Sequence, residues 1–332
     1  MPNEGRVLAP VYILLATCQG APFLDELLTS LRAQTDPDWV VLVSDDASTD
    51  RSAEIVMRHA AEDSRVVMLE SCPHRIGIRE NFGRLMAAAL ERGAALFALC
   101  DQDDVWLPTK IERLRAAVQS CNSAWASAQP VLAYADLRLI DEEGLELAPS
   151  HFRHAGADCV RKGVGPWLLA HNLIPGCAIV GNRALLELAV PFPPAIHHHD
   201  WWLLVLAAAA GRVVAVDAVL TEYRQHGANA IGAAGPWRRA WRFVTGFPAQ
   251  LRRAREQYAL ALAQAEALVE RMGERTEHSL DPAWSEWVAA ARTGLGGERS
   301  FTRLRAVLRG PVRRLGFARN VLMLAIAALP RA

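Results

Sequence analysis

Net charge, clustered cysteines and long apolar runs are what this chain lacks. Its 332 residues carry 36 Lys and Arg against 36 Asp and Glu, a formal balance of +0, and no nucleic-acid partner is expected. The six cysteines, at positions 18, 72, 100, 121, 159 and 177, are scattered without C-x-x-C spacing. That excludes a zinc ribbon or a thioredoxin-type redox pair and suits reduced thiols in a cytosolic protein. The N-terminal residues show no basic region followed by an apolar stretch and cleavage site, so no secretion signal is expected. The longest late apolar stretch, residues 321–329, is too short to span a bilayer. No G-x-G-x-x-G follows the first apolar run, which disfavours a dinucleotide-dependent oxidoreductase. Internal repeats and long low-complexity linkers are also missing.

The charge that is present is unevenly placed. From Gly235 onward 17 basic residues face 8 acidic ones, and beyond Glu298 there is no acid at all. Arg299, Arg303, Arg305, Arg309, Arg313, Arg314, Arg319 and Arg331 make that end a candidate for an anionic surface, and its apolar stretch could lie in a membrane interface.

Before that point the pattern alternates. Apolar runs at 7–17, 39–44, 65–70 and 94–100 suit strands buried on both faces, and helical spacing occupies 22–34 and 79–92. Such alternation predicts an α/β fold with a mostly parallel central sheet, right-handed crossovers and flanking helices. After Pro130 short strands are expected at 131–136, 138–141, 174–180, 213–216 and 220–225, with a helix at 200–210 and a long one at 249–272. Two regions follow: a catalytic domain over 1–234 and a basic helical region over 235–332.

Asp101-Gln102-Asp103-Asp104 is the most informative stretch, because it leaves the apolar run at 94–100 and precedes Val105-Trp106-Leu107-Pro108. Ligands of open α/β sheets collect at the carboxyl ends of strands. Three acids in four positions repel one another unless a cation sits among them, and hard divalent ions take carboxylate and phosphate oxygens. Mg²⁺ or Mn²⁺ carrying a diphosphate is one reading. A solvated acidic turn capping a helix that starts near Pro108 is the other. The run His197-His198-His199 is not expected to bind zinc, since adjacent residues do not converge on one ion.

Ala16-Thr17-Cys18-Gln19-Gly20, the stretch Val43-Ser44-Asp45-Asp46-Ala47-Ser48-Thr49-Asp50, and the acids at 101–104 together resemble the three signatures of family 2 glycosyltransferases. Tyr134-Ala135-Asp136, Ile174-Pro175-Gly176, His199-Asp200-Trp201-Trp202 and Tyr223-Arg224-Gln225-His226-Gly227 extend the resemblance to bacterial O-antigen and polysaccharide transferases, rhamnosyltransferases included. It covers roughly residues 7–232 and implies the GT-A fold with inverting, nucleotide-sugar-dependent chemistry. Carried over, Ala16, Thr17 and Cys18 line the base and ribose pocket, and Asp46 accepts from the pyrimidine imide. Arg79, Asn81, Asp101 and Gln102 contact the nucleotide. Asp103 is the principal metal ligand, with Asp101 and His226 assisting. Asp200 is the base that takes the acceptor hydroxyl proton, and Trp201 and Trp202 stack on the acceptor sugar. Two departures stand out: Cys18 replaces a common aromatic, and His199 replaces a common Glu. A protonated His199 would lower the pKa of Asp200.

The resemblance implies a UDP- or dTDP-sugar donor and a lipid-linked or cell-surface saccharide acceptor, with the basic tail docking the enzyme at the cytoplasmic face of the inner membrane. A nucleotidyltransferase also places acids and Mg²⁺ after strands, but Thr17 to Phe23 lacks the glycine- and lysine-rich phosphate loop it would favour. A non-catalytic nucleotide-sugar-binding protein on the same fold is the third reading.

Overall fold

A computed structural model describes residues 9–121, 129–157, 163–226, 247–274, 280–296 and 305. The chain runs β1 (Val11–Thr17), α1 (Leu24–Arg32), β2 (Trp39–Asp45), α2 (Ser52–Glu62), β3 (Val66–Met68), α3 (Ile78–Glu91), β4 (Leu96–Cys100), β5 (Val105–Trp106) and α4 (Lys110–Ser120). It continues with β6 (Val131–Ile140), β7 (Glu146–Ala148), α5 (His151–Ala155), β8 (Ile179–Asn182), α6 (Arg183–Ala189), α7 (His199–Ala210), β9 (Arg212–Arg224), α8 (Phe247–Glu274) and α9 (Pro282–Gly296). Short 3₁₀ turns at Pro166–Ala170 and Gly176–Ala178 precede β8.

One sheet of nine strands runs β3-β2-β1-β4-β8-β6-β9-β5, with β7 on the side of β6. Its first four strands are parallel, as the alternating pattern requires. The second half is mixed: β8 lies antiparallel between β4 and β6, and β9 runs parallel to β6. Strand alternation divides the core. Val11, Ile13, Leu15, Leu96, Ala98 and Cys100 face the helices α1, α2 and α4, while Leu14, Ala16, Phe97 and Leu99 face α3, α6 and α7. Both faces are covered, which is why these strands read as continuous apolar runs.

Several predicted elements merge or move. The pairs of strands expected at 131–141 and at 213–225 are single long strands, β6 and β9, whose mutual register shifts around Asp136. A bulge there breaks the period that sequence reading relies on. The strand expected at 174–180 begins only at Ile179, because Gly176–Ala178 turns first. The predicted long helix is α8, and with α9 it buries Tyr258, Leu268, Trp284 and Trp287 in the same core as α7. Arg271 of α8 donates to the carbonyls of Leu188 and Pro191 at 2.7 and 2.6 Å. The expected start of the helical region, 235–246, and the basic end lie outside the described residues, apart from Arg305. No helix among the described residues is long and apolar enough to cross a membrane.

Candidate functional site

The carboxyl ends of β1, β2 and β4 stand in register, with Thr17 beside Asp45 and Leu15 beside Cys100, so the loops leaving them share one edge of the sheet. The acids leave β4 there. Immediately after them β5 pairs antiparallel with β9, Val105 opposite Glu222 and Trp106 opposite Thr221. That short ladder draws the end of β9 onto the acidic motif. Arg224, itself buried, donates from its backbone N to Asp104 Oδ1 at 3.3 Å and from Nε to the Asp103 carbonyl at 3.0 Å. Its remaining nitrogens reach the carbonyls of Asp141 and Glu142 and the carboxylate of Glu26 at 2.7 Å. Two residues on, His226 Nε2 lies 2.7 Å from Asp103 Oδ2, with its ring stacked on Phe23 at 5.3 Å. The structure therefore brings together Asp103 and His226, which are 123 positions apart.

Asp101 and Asp104 face inward. Burial pushes the Asp101 carboxyl up to about 7, helped by the charges of Asp103 and Asp200. Burial likewise holds Asp104 well above the usual carboxylate range, with Asp101 and Asp103 adding to it. Asp101, Asp104 and the Cys177 thiol offer ligand atoms within 4.8 Å of one another. Lys110, which sequence reading passed over, lies completely buried beside them and donates to the Cys177 carbonyl at 2.6 Å. Burial lowers its amine to about 8 against the raising effect of Cys177, Cys100, Asp104 and Asp101. The same acids and burial raise the Tyr223 phenol. This chemistry fits a divalent cation: burial first, and then the charges of Asp103 and Asp200, raise Asp101, and Asp103 with His226 presents a carboxylate and an imidazole at partly exposed positions.

The nucleotide-side predictions divide. Thr17 is buried and gives its hydroxyl to Asp45 Oδ1 at 2.9 Å, and Ala16 is buried in β1; of the three, Cys18 alone keeps appreciable exposure. Burial raises the Cys18 thiol, against the lowering charge of Arg75. Asp45, not Asp46, caps the turn at Ser48, taking its N–H at 2.8 Å and its hydroxyl at 2.5 Å. Both Asp46 oxygens accept backbone amides, from Ile76 at 2.6 Å and Gly77 at 2.9 Å, so this carboxylate fixes the loop before α3.

Gln102, expected on the nucleotide, brackets the Cys18 backbone. Its Oε1 takes the N–H at 2.8 Å and its Nε2 gives to the carbonyl at 3.0 Å. Gly20 must be glycine for this, since a Cβ there would stand 2.3 Å from Gln102 Oε1. Asn81 and Arg79, also expected on the nucleotide, have backbone partners as well. Asn81 is buried in α3 and holds the Ser44 carbonyl at 2.9 Å. Arg79 spans to the carbonyls of Pro194 and Ile196, both at 2.9 Å, bracing the segment that leads to Asp200. Apolar spacing could not separate these from ligand contacts, because their partners are backbone groups far off in sequence.

Asp200 sits in the first turn of α7. Asn172 Nδ2 donates to both its oxygens at 3.1 and 3.2 Å, and the Trp201 N–H to Oδ1 at 2.7 Å. His199 stacks on Phe82 at 3.8 Å, and burial lowers its imidazole to about 4. It is neutral at physiological pH, so the lowering that a protonated His199 would bring to Asp200 is not supplied. Trp201 and Trp202, expected on the acceptor sugar, are buried in the core. They are 7% and 0% exposed and donate their indole N–H groups to the carbonyls of Leu168 and Ala189. Trp202→Ala is expected to cost about 3–5 kcal/mol of stability, read by thermal unfolding. Trp202→Phe is expected to leave the acceptor KM unchanged, and a tenfold rise would restore the stacking role.

Residues 12–143 match the family model for glycosyl transferase family 2. The chain is 27% identical over 106 residues to the teichuronic acid biosynthesis glycosyltransferase TuaG of Bacillus subtilis, covering 31% of this chain and 39% of that protein. It is 30% identical over 99 residues to the dTDP-rhamnosyl transferase RfbG of Shigella flexneri, covering 30% of this chain and 34% of that protein. These matches thus span less than half of either relative. Among solved structures, S. aureus TarS 1–349 in complex with UDP-GlcNAc superposes with a TM-score of 0.56 at 14% identity, over 90% of this chain and 79% of that one, a likeness of fold. Residues 12–143 are thus similar to glycosyl transferase family 2, on a scaffold whose fold is like that of TarS.

Proposed function

We propose that this protein is an inverting glycosyltransferase that moves a sugar from a UDP- or dTDP-sugar to a saccharide acceptor of a cell-surface polysaccharide. The observation that carries the reading is geometric: the Gly176–Ala178 turn joins the candidate base to the acidic motif, a Cβ at Gly176 standing 3.3 Å from Asp200 Cβ while the Cys177 thiol next to it lies within 4.8 Å of the ligand atoms of Asp101 and Asp104. Asp103 and His226, with Asp101, are the residues to hold Mg²⁺ or Mn²⁺, and such an ion supplies charge neutralisation to a departing nucleoside diphosphate. Asp200, oriented by Asn172 and the Trp201 N–H, takes the proton from the acceptor hydroxyl. Cys18 and the loop held by Asp46 border the base, and Gln102 fixes the Cys18 backbone there.

The dTDP-rhamnose donor rests on the likeness to RfbG, and UDP on the likeness to TarS. A lipid-linked acceptor at the cytoplasmic face of the inner membrane rests on the basic sequence beyond Glu298. A thermal-shift screen of UDP, dTDP, GDP and their sugars, with and without Mn²⁺, tests the donor class. A pyrimidine diphosphate with Mn²⁺ is expected to raise the midpoint, because a ligand bound to the native state stabilises it by mass action. Silence toward every pyrimidine diphosphate would sink the reading.

A further inference from the structure

We propose, resting on the reading of Asp200 as the base, that the first turn of α3 is the strut that sets Asp200 relative to the nucleotide side of the site. Arg79 is its positioning residue.

The turn is tied on both sides by hydrogen bonds. On the nucleotide side Asp46 takes the Ile76 and Gly77 amides at 2.6 and 2.9 Å. The Asn81 N–H closes onto the Gly77 carbonyl at 2.9 Å, and Asn81 Nδ2 reaches back to the Ser44 carbonyl at 2.9 Å. The end of β2 and the start of α3 are thus one piece. On the other side the same turn grips the approach to α7. Arg79 Nη1 donates to the carbonyls of Pro194 and Ile196, both at 2.9 Å, while the Glu80 carboxylate holds its Nε and Nη2.

Arg79, Phe82 and Gly83 lie three and four positions apart and share one face of α3. Phe82 stacks on His199 at 3.8 Å, and a Cβ at Gly83 would stand 3.4 Å from the Phe192 ring. This face therefore follows the chain from Phe192 to His199, the residue before Asp200. Between Ile196 and His199 the chain is exposed, and His198, at the N-cap of α7, makes no side-chain cap bond. The start of α7 then depends on what holds Ile196 and His199, and both are held by α3. A base carried on such an entry loses reactivity when it shifts by even about 1 Å.

Arg79→Met removes the donor and Arg79→Lys restores one. Arg79 and Glu80 are 29% and 46% exposed, so losing the guanidinium leaves no buried charge unpaired and both variants are expected to fold. The amides of Ile196, Trp201 and Trp202 bond to Pro193, Asp200 and His198. In the ligand-free protein their hydrogen exchange is expected to quicken about tenfold in Arg79→Met and to return toward wild type in Arg79→Lys. The thermal shifts by UDP and by dTDP, each with Mn²⁺, are expected to keep their wild-type size. Hydrolysis of UDP-GlcNAc or dTDP-rhamnose, with water in place of the acceptor hydroxyl, is expected to fall about a hundredfold in kcat at unchanged donor KM. Arg79→Lys is expected to recover most of it, and Arg79→Met to cause no further loss on top of Asp200→Asn.

Exchange at the wild-type rate overturns the proposal. A weakened nucleotide response overturns it by making Arg79 a nucleotide contact, and a kcat loss that adds to that of Asp200→Asn overturns it by separating Arg79 from the base. Both results leave Asp200 in its role. Near wild-type turnover by Asp200→Asn alone removes the base, and the proposal with it. A wild type that answers none of these nucleotides sinks the donor reading, and the exchange rates then uphold or overturn the strut.

Discussion

Asp200→Asn is expected to lower kcat by about a thousandfold, within the range that a positioned general base supplies. The substitution keeps the shape of the side chain. The amide oxygen stays on the Trp201 N–H, now 2.7 Å from Oδ1, and the new NH₂ turns toward Asn172 Nδ2. Two donors then face each other, which costs about 1 kcal/mol of stability and leaves the fold intact. The proposal gives donor binding to Asp103, His226 and Cys18 and not to Asp200, so the thermal shift by nucleotide and Mn²⁺ is expected to survive. Steady-state kinetics with the responding donor give the test. Turnover within tenfold of wild type would move the base away from Asp200.

Asp103→Asn is expected to remove most of the Mn²⁺ response and lower kcat by a similar factor, since several kcal/mol of leaving-group stabilisation correspond to about a thousandfold in rate. The variant takes away the carboxylate 2.7 Å from His226 and one of the two charges that lift Asp101. A pH signature follows from the second effect. In the wild type Asp101 holds its proton up to about 7, and only the ionised form attracts a cation. Mn²⁺ affinity is therefore full above that pH and falls by up to about tenfold per unit as pH drops below it. In Asp103→Asn the Asp101 proton leaves at lower pH, so what metal dependence survives is shifted toward acid. Isothermal titration with Mn²⁺ at several pH values reads both effects. Equal Mn²⁺ affinity in wild type and Asp103→Asn would place the ion elsewhere.

How much of this was legible in the sequence depends on what each residue binds. The parallel half of the sheet follows from apolar runs buried on both faces, as in β1 and β4, where successive residues enter different cores. The meeting of Asp103 with His226 was visible only through the family resemblance, because it is made by the β5–β9 ladder, and β5 is just two residues long. Lys110 was invisible for another reason. A lysine near a helix start is ordinarily solvated, and only the fold shows its burial under Cys177. Trp201 and Trp202 misled because aromatic pairs serve equally as sugar platforms and as core. Their neighbours in α7, Leu203 to Ala207, are all buried, which decides for the core. The charge of His199 was open, since its stacking on Phe82 and its burial have no trace in the local pattern.

The order of the strands bears on what counts as a unit in this molecule. The stretch that matches the family model stops at residue 143, but in the sheet β8 separates β4 from β6, and β9 flanks β6 on its other side. Cut at that point, the chain would leave β4 with a bare edge and β6 with no strand beside it. The stretch matched by the family model is thus smaller than the sheet it belongs to. The strands β8 and β9 must be synthesised before β4 and β6 gain the neighbours that complete the sheet.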